Sequence, residues 1–225
     1  MVGRIVSCLS ASVLLVLFSP ILLTVSLAIF LTDGGMPFYI SKRMGRFGTP
    51  FYIWKFRTMS VNASANGVNS TALNDTRITP IGKKLRRFKL DELPQLFNVL
   101  LGSMRFVGPR PNVEAERFLY TGDSSQIFCV TPGITDYASI VFSNEGEILK
   151  GSEDPDADYR RIIWPLKSRL GVFYAQNNNL ISDFLLCLIT LTSIFSRQYS
   201  LELVIRLLEF NGAGEHLLNS VRKTK

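Results

Sequence analysis

From Ile5 to Leu31 the chain carries apolar side chains and no charge, a run long enough as a helix to cross the hydrocarbon core of a bilayer. Ser19-Pro20 falls in its middle, where proline removes one helix hydrogen bond and bends the axis. Positive charge flanks both ends, Arg4 before and Lys42, Arg43 and Arg46 after, which draws both flanks to the cytoplasmic side. Two arrangements fit these residues about equally: a kinked single-span anchor, and a helix broken at Ser19-Pro20 that dips into the membrane and returns. A cleaved signal peptide fits less well, since the run is too long and no A-x-A site follows.

After Asp33-Gly34-Gly35 the pattern changes. Phe38-Tyr39-Ile40 and Phe51-Tyr52-Ile53-Trp54 are aromatic and β-branched runs around a Gly-, Arg- and Pro-containing turn, which predicts a β-hairpin. Val61 to Thr76 is rich in Asn, Ser and Thr and predicts a solvated loop, of which the sequons at Asn62, Asn69 and Asn74 are ordinary by-products. Helical patterns resume over Ile81 to Lys89 and Asp91 to Leu101, the latter closed by Gly102, and again over Asn112 to Tyr120. Between them, Val107-Gly108-Pro109-Arg110-Pro111 is too rich in Gly and Pro for regular structure. Glu145 to Asp158 holds six carboxylates against Lys150 alone and predicts a solvated surface. Phe184 to Phe195 is uniformly apolar but too short to span. Leu201, Val204, Ile205 and Leu208 share one helical face, which suits either a core or, beside an N-terminal membrane segment, the membrane interface. The expected fold is α+β, mainly helical, with a small β-hairpin and interfacial amphipathic helices.

Composition sharpens the picture. Apolar residues make up 47% of the 225 and charged residues only 19%, yet the net charge is +7. Nucleic acid accounts for the charge but not for the apolar excess, whereas an anionic membrane or a phosphorylated lipid accounts for both. Cys8, Cys129 and Cys187 have neither metal-ligand nor redox spacing and read as buried thiols. His216 is the only histidine, so no Ser-His-Asp triad or HExxH site exists in the middle of the chain. Chemistry must rest on carboxylates, cations and main-chain groups.

Eleven cations lie between Met36 and Leu90 against Asp75 as the only acid, and Asp91-Glu92 follow at once. So much positive charge predicts that both carboxyls are held ionised. At a helix start such a pair ordinarily caps the helix and complements its dipole. The surrounding blocks weigh against so plain a role. ITPIGKKLRRFKLDELPQLFNVLLGSMRFVGPRP, with KFRTM upstream (Lys55 to Met59) and PGIT downstream (Pro132 to Thr135), resembles the bacterial sugar transferase family, the monotopic polyprenyl-phosphate phosphoglycosyl transferases. The likeness runs from about Ile5 to the 190s. At this length the chain corresponds to the small members.

The resemblance implies a re-entrant membrane helix over 1–33, broken at Ser19-Pro20, and a catalytic domain over 34–225 on the cytoplasmic face of the bacterial inner membrane. It implies transfer of a sugar-1-phosphate from a UDP-sugar to undecaprenyl phosphate through an aspartyl phosphosugar, releasing UMP, as the first step of surface-glycan assembly. Asp91 matches the family nucleophile and Glu92 its acidic partner, the two also holding Mg²⁺. Arg110 matches a phosphate-contacting arginine, Lys55 and Arg87 resemble further cationic lining, and Asp183 resembles an acidic position ahead of the last apolar helix. The chemistry agrees: an ionised carboxylate attacks phosphorus without a general base, and Mg²⁺ takes few carboxylates alongside substrate phosphates. The chain departs from the family at PGITDYASIV, where Asp136, Tyr137 and Ser139 replace commoner residues, and at Arg105, for which the sequence offers no role. The sugar, the polymer and the oligomeric state are not legible. Two other readings stay open on the sequence: a non-catalytic basic protein holding anionic lipids, and glycosyl transfer without phosphate. Nucleic acid is not an expected partner.

Overall fold

A computed structural model describes residues 2–61, 63 and 70–224, with α1 side chains described from Arg4 onward. Helix α1 (Val2–Asp33) is the longest element and runs through Ser19-Pro20 without interruption. The expected break is therefore not a loss of helical conformation. Proline lacks only the N–H that would reach back one turn, and the Ser19 and Thr24 hydroxyls donate to the Val16 and Pro20 carbonyls at 2.8 and 2.7 Å beside it. Most of α1 is exposed, with Val16 at 75% and Leu23 at 71%, and the helix is long and apolar enough to cross a membrane.

One stripe of α1 nonetheless packs on the rest of the fold along its whole length. Cys8 donates to the Leu100 carbonyl at 3.5 Å, and Ala11 is buried with Ile53, Val99 and Met104. Leu22 and Ile29 are buried with Phe56 and Leu85, and Asp33 closes the helix in an ion pair with Arg57 at 2.8 Å.

The hairpin forms as its alternation predicts, β1 (Phe38–Met44) against β2 (Pro50–Phe56), with Tyr39 opposite Lys55 and Ile40 opposite Trp54. Helix α2 (Pro80–Arg87) starts on a Thr79 cap, with proline in its first turn. A 3₁₀ turn over Leu90–Glu92 follows, and α3 (Gln95–Leu100) opens after Pro94. The helix predicted from Asp91 is thus divided, because Pro94 has no N–H to donate and is placed as the residue before α3.

Two three-residue strands were not foreseen. β3 (Arg105–Val107) pairs in parallel with β4 (Gly133–Thr135), in register Arg105 to Gly133 and Val107 to Thr135. The segment predicted as a helix over Asn112 to Tyr120 is a 3₁₀ stretch, Glu114–Leu119.

The remaining helices are α4 (Tyr137–Val141), α5 (Glu145–Ile148), α6 (Pro155–Asp158), α7 (Trp164–Asn177), α8 (Leu180–Phe195), α9 (Arg197–Phe210) and α10 (Glu215–Arg222). The main core lies among α4, α7, α8, α9 and α10. Leu201, Val204 and Leu208 of α9 are fully buried there, which corrects the expectation of an interfacial helix. Each such side chain contributes about 2 kcal/mol when taken out of water, so the core claims this face. The face left to the outside belongs to α8, where Leu180, Phe184 and Phe195 are 75%, 64% and 89% exposed. Cys129 is exposed and Cys8 and Cys187 half-buried, so the thiols are less enclosed than expected. Asn62 and Asn69 lie outside the described residues.

Candidate active site

The 3₁₀ turn that carries Asp91 and Glu92 is aimed by its neighbours. Lys89 sits just before it with φ 54°, a left-handed conformation that turns the chain sharply out of α2. Leu90 and Leu93, on either side of the two acids, pack into the cluster formed by Leu22 and Ile29 of α1 with Phe56 and Leu85. Apolar side chains thus pin the turn while both carboxylates face a cavity of about 1900 Å³.

Glu92 is held by two cations from different segments. Lys55, on the strand face it shares with Phe51 and Ile53, donates to Oε1 at 3.0 Å. Arg110, from the Gly108-Pro109-Arg110-Pro111 loop, donates from one amino group to Oε2 at 3.2 Å and from the other to Oε1. Burial pushes the Glu92 carboxyl up, but Arg110 and Lys55 outweigh it and hold the group well below the usual carboxylate range. Glu92 in turn raises Arg110, while burial lowers the Lys55 ammonium.

Asp91 differs. Its carboxylate makes no hydrogen bond or ion pair with a described residue. Burial raises its pKa and the Glu92 charge adds to that, with Lys55, Arg86 and Arg110 opposing. The expectation that nearby cations hold both carboxyls down is met for Glu92 and overturned for Asp91. Glu92 takes up the adjacent positive charge through direct hydrogen bonds, leaving Asp91 the cost of burial. The result is one neutralised acid beside one uncommitted carboxylate.

Of the other residues singled out in the sequence, Arg87 lies at the cavity rim, exposed, with its guanidinium 5.7 Å from the Phe88 ring centroid. Its neighbour Arg86, with Lys55 and Arg110, is among the cations felt by Asp91, and its Nε donates to the Thr58 hydroxyl at 2.9 Å. Arg86, Arg43 and Lys89 join Lys55 and Arg110 as cavity cations, and the sequence had not separated them from the rest of the basic stretch. Asp183 is not brought to the cavity. It accepts the Tyr174 hydroxyl at 2.8 Å in the first turn of α8, and burial raises its pKa. Asp136 caps α4, accepting the Ser139 amide at 2.7 Å and hydroxyl at 2.6 Å, which gives the departing DYAS segment a structural purpose. Asn98, unremarked in the sequence, accepts the Trp54 amide at 3.0 Å and donates to the Tyr52 carbonyl at 2.7 Å, which fastens α3 to the strand carrying Lys55. Its signal was an amide, with Gln95 one turn before it, on an otherwise apolar helix.

The backbone holds the Arg110 loop closely. Gly108, just after β3, lies against Gly133 of the paired β4, and a Cβ on Gly133 would lie 2.1 Å from the Gly108 nitrogen. The same cavity is also lined by apolar side chains, Leu14 and Phe18 of α1 and Leu191 and Ile194 of α8, with Lys89 reaching the Ser193 hydroxyl of α8 at 3.5 Å. A lining that combines cations, two acids and hydrocarbon suits an amphiphile with a phosphorylated head.

The donor set bears on a metal as well. No group of three or more His, Cys, Asp or Glu stands together among the described residues. Mg²⁺ needs no such cage, since it is held by one or two carboxylates plus substrate phosphates. Asp91 keeps both oxygens, and Glu92 Oε2 accepts a single bond and so retains a lone pair. The residues fit the ion.

Comparison with known proteins identifies the family. The profile of the family described as bacterial sugar transferase matches residues 1–197. The UDP-glucose:undecaprenyl-phosphate glucose-1-phosphate transferase of Klebsiella pneumoniae is 42% identical over 141 residues, covering 61% of this chain and 30% of that protein. The UDP-N-acetylgalactosamine-undecaprenyl-phosphate N-acetylgalactosaminephosphotransferase of Aeromonas hydrophila is 33% identical, covering 84% of this chain and 42% of its own length. The exopolysaccharide production protein ExoY of Rhizobium meliloti is 33% identical over 211 residues, 86% of this chain and 85% of that one. The chain therefore spans less than half the length of the first two relatives and most of the third.

Proposed function

This chain belongs to the bacterial sugar transferase family, and from that premise we propose that it moves a sugar-1-phosphate from a UDP-sugar to undecaprenyl phosphate at the cytoplasmic face of the inner membrane, the opening step of a surface glycan. The observation that carries the reading is the uncommitted Asp91 carboxylate beside a Glu92 already neutralised by Lys55 and Arg110.

Asp91 attacks the sugar-proximal phosphorus of the donor. A bond forms from its carboxylate oxygen to that phosphorus, and the bond from phosphorus to the bridging oxygen breaks. UMP leaves with the bridging oxygen and its electron pair. An oxygen of the lipid phosphate then attacks the same phosphorus, frees the carboxylate and yields the undecaprenyl diphosphosugar. Arg110 and Lys55 hold Glu92 in place, while Arg43, Arg86 and Lys89 supply positive charge for the diphosphate oxygens, which would otherwise repel Asp91. Asp91 and Glu92 would hold Mg²⁺, which lowers the negative charge of the diphosphate. The apolar side chains from α1 and α8 seat the acceptor's prenyl chain, with its phosphate among the cavity cations.

The membrane setting follows the same logic. Because α1 contacts the fold from Cys8 through Asp33, a straight span carrying half of its length away from the fold does not suit it, and we assign it a re-entrant course in which the helix, unbroken in its hydrogen bonding, bends at Ser19-Pro20 and keeps both ends on the cytoplasmic side.

The test uses intact-mass measurement. Incubated with Mg²⁺ and the correct UDP-sugar but no acceptor, the protein gains the mass of one phosphosugar and releases UMP. Addition of undecaprenyl phosphate returns the original mass. Turnover with UDP as the nucleotide released would replace the reading by plain glycosyl transfer.

A further inference from the structure

Apart from the cavity that holds Asp91, a second cleft of about 520 Å³ opens between the first turns of α1, the hairpin turn and the loop after α3. Three arginines from three separate segments line it: Arg4 from α1, Arg46 from the hairpin turn and Arg105 from β3. Among the described residues no acid lines it, and none of the three guanidinium groups forms a salt bridge. Arg46 spends its Nε on the Cys129 carbonyl at 3.0 Å, which steadies the group and leaves its two amino groups. The Arg4 guanidinium rests over Gly102, where a Cβ would stand 2.9 Å from it, so a residue without a side chain makes its seat. Asp183 lies close enough to feel Arg105 but is not among the lining residues.

Three like charges converging on one cleft repel one another unless an anion sits between them. Arginine forks match the oxygens of a phosphate group. The chain neighbours tell which kind of phosphate. Ile5 next to Arg4, Phe47 next to Arg46 and under its guanidinium, and Leu101 next to Gly102 are 56%, 71% and 69% exposed. A soluble phosphate has no use for such a border, whereas a lipid places its headgroup among cations and its chains along apolar side chains. We infer that the Arg4–Arg46–Arg105 cleft binds the phosphate of an anionic membrane phospholipid, at a site separate from the catalytic cavity. The bound lipid ties the start of α1 to the hairpin turn and to β3, and it gives Arg105 the role that the sequence left open.

The inference does not rest on the proposed reaction, since it is tested without donor or acceptor. The full chain in neutral detergent is offered phosphatidylglycerol or phosphatidylcholine and examined by native mass spectrometry. One phosphatidylglycerol is expected to stay bound in clear preference to phosphatidylcholine. Arg46→Gln and Arg105→Gln are each expected to weaken that retention about fivefold, the factor one basic residue contributes at an anionic surface. Lys84→Gln removes an equal charge from the exposed side of α2 and leaves retention unchanged. Unaltered melting temperatures show that the variants are folded. Equal retention of both lipids by the unmodified protein overturns the inference, as does an equal loss in Lys84→Gln. Displacement of the lipid by excess inorganic phosphate, or by undecaprenyl phosphate in preference to phosphatidylglycerol, overturns the assignment to a membrane phospholipid.

Discussion

Asp91 and Glu92 are adjacent in the chain and opposite in circumstance. Asp91 is half-buried, makes no hydrogen bond or ion pair with a described residue, and has its pKa raised, first by burial and then by Glu92. A carboxylate kept charged against that tendency costs stability near neutral pH. Asp91→Asn is therefore expected to lower turnover about 10³-fold or more while raising Tm by the few degrees that about 1 kcal/mol makes in a chain of this size. A variant that loses activity and also melts earlier contradicts this account of Asp91. Glu92 has the opposite sign. Its folded pKa lies below the ordinary 4.5, so its contribution is fully present above that pH and is lost as pH falls below it. Glu92→Gln leaves Lys55 and Arg110 without their anion, at a cost of about 2–3 kcal/mol once the partial exposure of Arg110 is allowed for. Acid titration of unfolding should show the unmodified protein losing stability below pH 4.5 and Glu92→Gln losing less over the same interval. The blocks that hold Lys55 and Arg110 marked them as phosphate-binding cations but not as the two partners of Glu92, which are brought together only by the fold. Arg86 could not be told from Arg87, because neighbours on a helix point about 100° apart and only the start of α2 at Thr79 decides which one faces the acids.

At the scale of elements, the hairpin and most helices were legible because each holds enough residues for its periodicity to show. β3 and β4 were not, since three residues carry no pattern and their pairing is parallel and distant in sequence. Their approach is sterically closed, with Gly133 against the backbone of Gly108. Gly133→Ala must push the strands apart, at about 1–3 kcal/mol. Because Arg110 follows Gly108 by two residues, activity should fall further than stability alone explains. Enzyme assay and denaturant unfolding on the same sample separate the two, and full activity with unchanged Tm would show that the strands can part without cost to the loop. Helix α9 illustrates a different limit. An apolar stripe has the same spacing whether it meets lipid or protein, and only the neighbours α4, α8 and α10 show that Leu201, Val204 and Leu208 belong to the core.

For the whole molecule, the open question in the sequence was the course of the first thirty or so residues, where hydropathy allows a span or a dip and only tertiary contacts discriminate. With Cys8, Cys129 and Cys187 replaced, single cysteines at Val2→Cys and Ile40→Cys are expected to react with an impermeant reagent only from the cytoplasmic side. Periplasmic reactivity at position 2 would establish a span. Whatever the course of α1, the side chains that steady the Asp91-Glu92 turn are in part its own: Leu90 and Leu93 lean on a cluster completed by Leu22 and Ile29. The geometry of the acids is thereby coupled to how α1 is solvated. A surfactant that strips lipid from that surface works directly on the alignment of Asp91, and loss of turnover after harsh extraction would report a displaced scaffold while every reacting group remained chemically intact.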